Sequence, residues 1–202
     1  MKHVSDYQEA LDPNGHRTLY QPIEHPAFQD WKAQQPCQER WDLIQSVDLP
    51  PTGLCVDIGC HTGWFCRQFS RQGWEAVGID TKQIEIEIAR DIMGSFSDAS
   101  FPKYIHGDII DVAIPPADVV LCLSVAMYWF NPKFGKTHEQ AWAIMQKISH
   151  ASIRMFLDYG GMYSTLSESF PEDIITNTTY TNYELLGHTE LESRPFYIFT
   201  RN

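Results

Sequence analysis

No apolar run in this 202-residue chain approaches the ~20 residues that a membrane-spanning helix needs. The longest, "VVLCLSVAM" at 119–127, is less than half that length. The opening "MKHVSDYQEALDPNGHR" has no apolar core of the signal-peptide kind. No C-x-x-C pair occurs among the five cysteines, Cys37, Cys55, Cys60, Cys66 and Cys122. Their odd count argues against a disulfide or zinc framework and for a reduced, cytoplasmic protein. Basic residues are scarce, 15 against 26 acidic, which gives a formal net charge of -11. Such a surface repels polynucleotides and anionic lipid at long range, so neither a broad nucleic-acid face nor a membrane partner is expected. Repeats and low-complexity segments are also missing.

What is present is 43% hydrophobic and 13% aromatic, enough for one globular domain with a sizeable core. Residues 1–35 lack regular periodicity. The turn signal "DPNG" and the mixture "RTLYQPIEHPAFQDW" read as an N-terminal arm or lid. From residue 36 to 202 the pattern is that of a single folded domain. Trp41, Ile44 and Val47 mark a helical face that Pro50 and Pro51 end. "GLCVDIG" reads as a buried strand, "GWFCRQFSRQG" as a helix and "EAVGID" as a second strand. "KQIEIEIARDI" fits either period: Ile84, Ile86 and Ile88 alternate, while Ile84, Ile88 and Ile92 repeat helically. Its place after a buried strand favours helix. "KYIHGD", "ADVVLCLSV" and "IRMFLD" are three more strands. A capping box at Thr137–Gln140 opens a helix with Ala141, Ile144, Met145 and Ile148 on one face. "YELLGH" and "RPFYIFT" suggest an antiparallel C-terminal pair. The alternation predicts an α/β fold with a mostly parallel sheet and helices on both faces. Ligands of such sheets bind at the carboxyl ends of the strands, where the strand order reverses.

The loop "VDIGCHTGWF" follows the first of these strands. A dinucleotide loop of the form G-x-G-x-x-G would place glycines at positions held here by His61 and Trp64. A phosphate loop ending in G-K-[ST] does not occur. Diphosphate ligands are therefore disfavoured.

"VDIGCHTGWF", "VGID", "HGDIIDV" and "ADVVLCLSVAMYWF", in this order, resemble the four motifs of the class I S-adenosylmethionine-dependent methyltransferases. Seventeen residues separate Gly63 from Asp80, and 28 separate Asp80 from Asp108, which fits the same family. The resemblance covers roughly Trp41 to Arg201 and implies a single Rossmann-like methyltransferase domain that binds S-adenosylmethionine (SAM). It places Asp57 near the ammonium group of the cofactor. Gly59, Cys60, His61 and Gly63 would form the loop over its methionine part. Asp80 would accept from the ribose hydroxyls and Asp108 from the adenine amine, with the Ile109 amide on the ring and the Leu123 carbonyl on the ammonium. Histidine is tolerable between the glycines because the loop meets a compact amino acid there, and histidine is one of the side chains that visit positive φ.

Methyl transfer is in-line displacement at a carbon that the cofactor supplies, so the protein mainly aligns donor and acceptor. A base is needed only where the acceptor must lose a proton. Candidate acceptor contacts are Tyr20, Tyr128 and Trp129, with Tyr159 and Tyr163 nearby and Arg17 and Lys133 as the only cations expected at the mouth. Candidate catalytic groups are His61, Tyr128 and Asp158, with His138 a further histidine. "HEQAW" is half of a zinc motif with Trp142 in the second histidine's place, so no metal is expected. Arg17, Tyr20 and Gln21 would let the arm close over the cofactor. Two glycines follow the fifth strand instead of preceding it, which loosens the placement of Asp158. The expected activity is transfer of the sulfonium methyl to an oxygen or nitrogen of a small molecule. "DVVLCLSVAMYWF", "NYELLG" and "RPFYIFTR" also resemble the methylphosphate-capping methyltransferases of RNA 5′ ends. A SAM-binding protein without catalysis is a third reading. The sequence leaves the oligomeric state open.

Overall fold

A computed structural model describes residues 7–12, 14–35, 37–93, 101–160, 166–190 and 193–201. Seven strands form one sheet. β3 (Leu54–Ile58), β4 (Glu75–Asp80), β5 (Lys103–His106), β6 (Ala117–Leu123) and β7 (Ser152–Asp158) are joined by parallel pairings. β8 (Asn182–His188) and β9 (Pro195–Thr200) form an antiparallel pair, and β9 lies antiparallel to β7. The order is β5-β4-β3-β6-β7-β9-β8. The chain moves outward from β3 to β5 and then returns to the other side of β3 with β6. The reversal lies between β3 and β6, beside the loop that follows β3.

The helices follow from their apolar spacing. α2 (Cys37–Gln45) and α3 (Trp64–Arg71) cover one sheet face, where Trp41, Ile44, Trp64, Phe65 and Phe69 pack together. Trp64, which stands where a dinucleotide loop has its third glycine, meets Trp41 edge-on at 6.5 Å and is 3% exposed. α6 (His138–Ala151) covers the other face through Ala141, Ile144, Met145 and Ile148. Its capping box is present in both directions: Gln140 N–H donates to Thr137 Oγ1 at 3.2 Å, and Thr137 N–H to Gln140 Oε1 at 2.9 Å. Such a cap contributes about 1 kcal/mol. The ambiguous isoleucine segment is helical: α4 (Gln83–Met93) buries Ile86, Ile88 and Ile92.

Two helices had no clear signal in sequence. α5 (Ala126–Phe130) is a single turn directly after β6, and α7 (Phe170–Asn177) starts on Pro171 in its first turn and buries Phe170 and Ile174. β7 pairs with β6 as far as Leu123 opposite Asp158, so the displaced glycines leave Asp158 at a well-formed strand end.

The N-terminal segment is ordered against the domain. α1 (Gln8–Leu11) is one turn, and β1 (Thr18–Leu19) pairs in parallel with β2 (Lys32–Ala33). Tyr7, Leu19, Ile23 and Phe28 form a small core with Ile88 and Ile92 of α4. Tyr7 donates its hydroxyl to Asp91 at 2.5 Å. All five cysteines are buried free thiols, and burial pushes the Cys37 thiol up to about 12. Among the described residues no helix is long and apolar enough to cross a membrane.

Candidate active site

A cavity of about 730 Å³ opens at the carboxyl ends of β3, β4 and β6, within the range of small-molecule sites. Gly59, His61, Asp80, Asp108, Ile109 and Leu123 line it, as do Tyr20, Tyr128 and Trp129. Asp57, Cys60 and Gly63 are buried and do not belong to its lining.

The loop after β3 is built on left-handed backbone. Gly59, His61 and Gly63 have φ of 74°, 52° and 78°. A Cβ on Gly59 would lie 2.2 Å from Val125 Cγ1, and one on Gly63 2.4 Å from the Tyr104 hydroxyl. Both glycines are thus required by the protein's own packing. His61 N–H donates to Asp80 Oδ2 at 2.9 Å, while Lys82 N–H donates to Asp80 Oδ1, also at 2.9 Å. A carboxylate has about four acceptor positions, so two remain for ligand hydroxyls.

The His61 ring is held from three sides. Nε2 lies 3.2 Å from Glu85 Oε1, Nδ1 lies 3.3 Å from Thr62 Oγ1, and the Tyr20 ring leans on it at 5.0 Å. Burial, reinforced by the Lys82 ammonium, pushes its pKa down to about 3. His61 is therefore a neutral imidazole, and Glu85 is shared between it and Lys82 Nζ at 2.9 Å. Asp57 shows the opposite response. Burial, and then the charge of Asp80, raise its carboxyl to about 7. Asp108 accepts from Lys136 Nζ at 2.6 Å and from the Ile110 N–H at 3.1 Å. Its carboxyl is held below the usual range by Lys136 against the desolvation that would raise it.

Asp158 does not line the cavity. It is fully buried, ion-paired to Arg40 Nη2 at 2.5 Å, and accepts the Ser124 N–H. Ser124, with φ 58°, does line the cavity. Its Oγ accepts from Arg40 Nη2 and from Arg194 Nη1, both at 2.8 Å. Burial raises the pKa of the cavity-lining Tyr20, against the charge of Arg40.

The expectation of few cations at the mouth needs correction. Lys82 and Lys136 line the cavity, with Arg40 and Arg194 behind its wall. Arg40 had a legible signal: Cys37, Arg40, Trp41 and Ile44 share one buried helical face, which puts an arginine where an apolar residue belongs. Arg194 and Ser124 had none. Among the expected aromatics, Tyr128 is 37% exposed and meets the Phe134 ring edge-on at 4.8 Å, whereas Trp129 is 6% exposed. Tyr159 stacks on Tyr197 in the core. Tyr163 lies outside the described residues. Gln21 accepts the Trp64 N–H at 3.3 Å, while Arg17 is exposed. His138 sits on the outside of α6 and accepts from Trp142 Nε1 at 2.9 Å.

These residues fit SAM. The loop presents close-packed backbone, Asp80 has acceptor capacity at the cavity, and the Asp57 carboxyl behind it suits a cationic neighbour.

Comparison with known proteins agrees with this geometry. Residues 56–149 match the family described as "Methyltransferase domain". No curated protein sequence matches the chain. Among solved structures, WbdD superposes with a TM-score of 0.72 over 90% of this chain at 20% identity. That protein is described as a bifunctional kinase-methyltransferase, and the match covers only 44% of the chain in its 2.2 Å crystal structure. Magnesium protoporphyrin IX methyltransferase from Synechocystis PCC 6803, solved with bound SAM, superposes with a TM-score of 0.63 at 16% identity, covering 82% of this chain and 77% of its own. A TehB-like SAM-dependent methyltransferase from Corynebacterium glutamicum gives 0.61 at 17%, covering 81% and 87%.

Proposed function

We propose that this chain, whose residues 56–149 match the methyltransferase-domain family, is a class I SAM-dependent methyltransferase that methylates an oxygen or nitrogen atom of a small organic acceptor. SAM, when bound, supplies an electrophilic methyl group on a sulfonium. The residues of this chain do the rest. Asp80 would take the ribose hydroxyls, and the backbone at Gly59 and His61 would hold the methionine part. Asp57, behind the loop, and the Leu123 carbonyl would serve the ammonium. Asp108 with Ile109 would bound the adenine end.

The observation that carries the small-molecule reading is the cavity itself, which Tyr20, Tyr128, Trp129 and Phe134 partly line. Aromatic faces suit a flat or apolar body, and phenolic hydroxyls orient a polar group on it. Lys82 and Lys136 at this cavity are each held by a carboxylate, which leaves little for a phosphate backbone. In this reading neither His61 nor Asp158 is a base. His61 is a neutral spacer, and Asp158 positions Arg40 and Ser124.

Calorimetry with SAM and with NAD, followed by an acceptor screen that reads S-adenosylhomocysteine, tests the proposal. SAM heat without NAD heat, and turnover on a small acceptor, are expected. Salt-sensitive binding of labelled RNA at submicromolar strength would overturn the small-molecule reading.

A further inference from the structure

Resting on the methyltransferase reading above, we infer that Lys136 and Lys147 are positioning residues for the nucleobase of the cofactor: together they fix residues 108–110, so that the loop after β5 selects a base with an exocyclic amine. The inference starts from the loop itself. Its turn uses the Asp108 carbonyl, which accepts from the Asp111 and Val112 N–H groups at 3.0 Å each. The Gly107 N–H donates to the Asp80 carbonyl at 2.9 Å, which ties the start of the loop to the end of β4. The next two carbonyls are taken from outside. Lys147 Nζ donates to the Ile109 carbonyl at 2.8 Å and to the Ile110 carbonyl at 3.0 Å. Lys136 Nζ donates to Asp108 Oδ2 at 2.6 Å, while the Ile110 N–H donates to Oδ1 at 3.1 Å. Two ammonium groups thus converge on three consecutive residues. Two of those residues, Asp108 and Ile109, line the cavity.

Both lysines come from one rigid element. Lys147 lies on α6, and Lys136 stands immediately before its N-cap, Thr137. Lys136 has Gly135, with φ 84°, on one side and the capping box on the other, so its backbone is held at both ends. Ile109 is 3% exposed and belongs to the core cluster that α6 supplies with Ala141, Ile144 and Ile148. Apolar packing therefore anchors the loop, and the lysines add direction to it. An ammonium has three donors and no acceptor, so it fixes carbonyls and carboxylates. Each Asp108 oxygen holds one donor and keeps acceptor capacity for another. A ligand that meets an acceptor already fixed in this way does not have to order it on binding.

This arrangement discriminates by proton pattern. A 6-amino purine offers N–H donors to the remaining acceptor positions of Asp108. A 6-oxo purine turns a lone pair toward the same carboxylate, which repels it. Lys136 serves the carboxylate and not the base.

The test titrates the full chain by calorimetry with S-adenosylhomocysteine and with its 6-oxo analogue, S-inosylhomocysteine. Wild type should bind the amino form roughly tenfold or more tighter, as expected for one charge-assisted hydrogen bond. Lys136→Met and Lys147→Met keep an unbranched apolar stem. Each should reduce that ratio by about threefold or more through weaker binding of the amino form, with the oxo form unchanged within about twofold. Lys147→Arg, which keeps a cation with donors for two carbonyls, should stay within about threefold of wild type for both ligands. In Asp108→Ala the ratio should collapse, and adding Lys136→Met should then change it no further. Equal weakening of both ligands in the lysine variants, or an unchanged ratio, overturns the inference, since the lysines would then only hold the fold. Equal binding of the two forms by wild type overturns it as well, and a loss of the oxo form in Lys136→Met would then put Lys136 on the base itself. Failure of wild type to bind either ligand would instead remove the methyltransferase reading beneath it.

Discussion

The backbone N–H of His61 donates to the side chain of Asp80 at 2.9 Å, so the loop after β3 is tied to the carboxyl end of β4. Asp80 has two tasks in consequence. It offers acceptors to a ligand, and it holds His61, the one non-glycine residue of the loop with a left-handed backbone, at φ 52°.

Asp80→Ala should therefore weaken SAM binding by roughly 10–150-fold, the range of a lost charge-assisted bond. Asp80→Asn keeps one acceptor oxygen and should lose less. Isothermal titration at constant pH checks both, and unchanged affinity in Asp80→Ala would remove the ribose assignment.

His61 should not act as a base. Its burial depresses the imidazole to about 3, so it is neutral throughout the ordinary working range. His61→Asn, which tolerates positive φ, should keep turnover within about tenfold and add or remove no pH inflexion near 6.5. A loss of ~10²–10⁴ with SAM affinity intact is the signature of a lost general base, and would contradict this.

Asp57 should make the ligand-free protein pH-sensitive. Its folded pKa, about 7, lies above the ordinary 3.8, so the folded state retains a proton that the unfolded state has lost. The stability it contributes is complete below about 4, declines as pH rises through that window, and is gone above about 7. The full difference is on the order of 4 kcal/mol. Asp57→Asn should raise the melting temperature at pH 8, leave it nearly unchanged at pH 4, and weaken SAM binding. Thermal melts across pH 4–8 decide the matter; parallel curves for the two proteins would refute it.

The N-terminal segment should undock as a unit. Phe28 is 2% exposed and packs with Ile88 and Ile92 of α4. Phe28→Ala removes a buried ring, a change that costs about 3–5 kcal/mol in a well-packed core. Limited proteolysis should then cut before Cys37 while the sheet persists, and turnover should fall more than SAM affinity, since Tyr20 belongs to the same segment. Wild-type protease resistance in the variant would show that the docking does not depend on this contact. Trp129→Ala is a poorer probe of the acceptor than its position suggests. Trp129 is 6% exposed and packs in the core, so its removal would disturb folding; Tyr128, at 37%, is the cleaner choice.

Much of this architecture was legible because apolar period and turn chemistry agree along the chain. The seven sheet strands and the capping box of α6 were readable from local pattern alone. The Gly59–Gly63 loop was readable too, because positive φ limits which residues it accepts. The Ser124–Arg40–Arg194–Asp158 network was not. Its members come from α2, the end of β6, the end of β7 and the approach to β9, and no local pattern links residues brought together only by strand order. α7 was missed because its eight residues carry too short a periodic signal, and Pro171 reads as a break unless it is known to sit in the first turn.

The outer strand β8 has a consequence for assembly. Its pairing with β9 slips between Leu185 and Gly187, and its residues alternate irregularly between half-buried and exposed, with Glu184 and Leu185 outward. A bulge there bends the strand and increases its twist. An incoming strand from another molecule would meet carbonyls and amides that are out of step with its own. The sheet is thereby discouraged from growing at that margin, a safeguard against edge-to-edge aggregation that does not depend on the ligand.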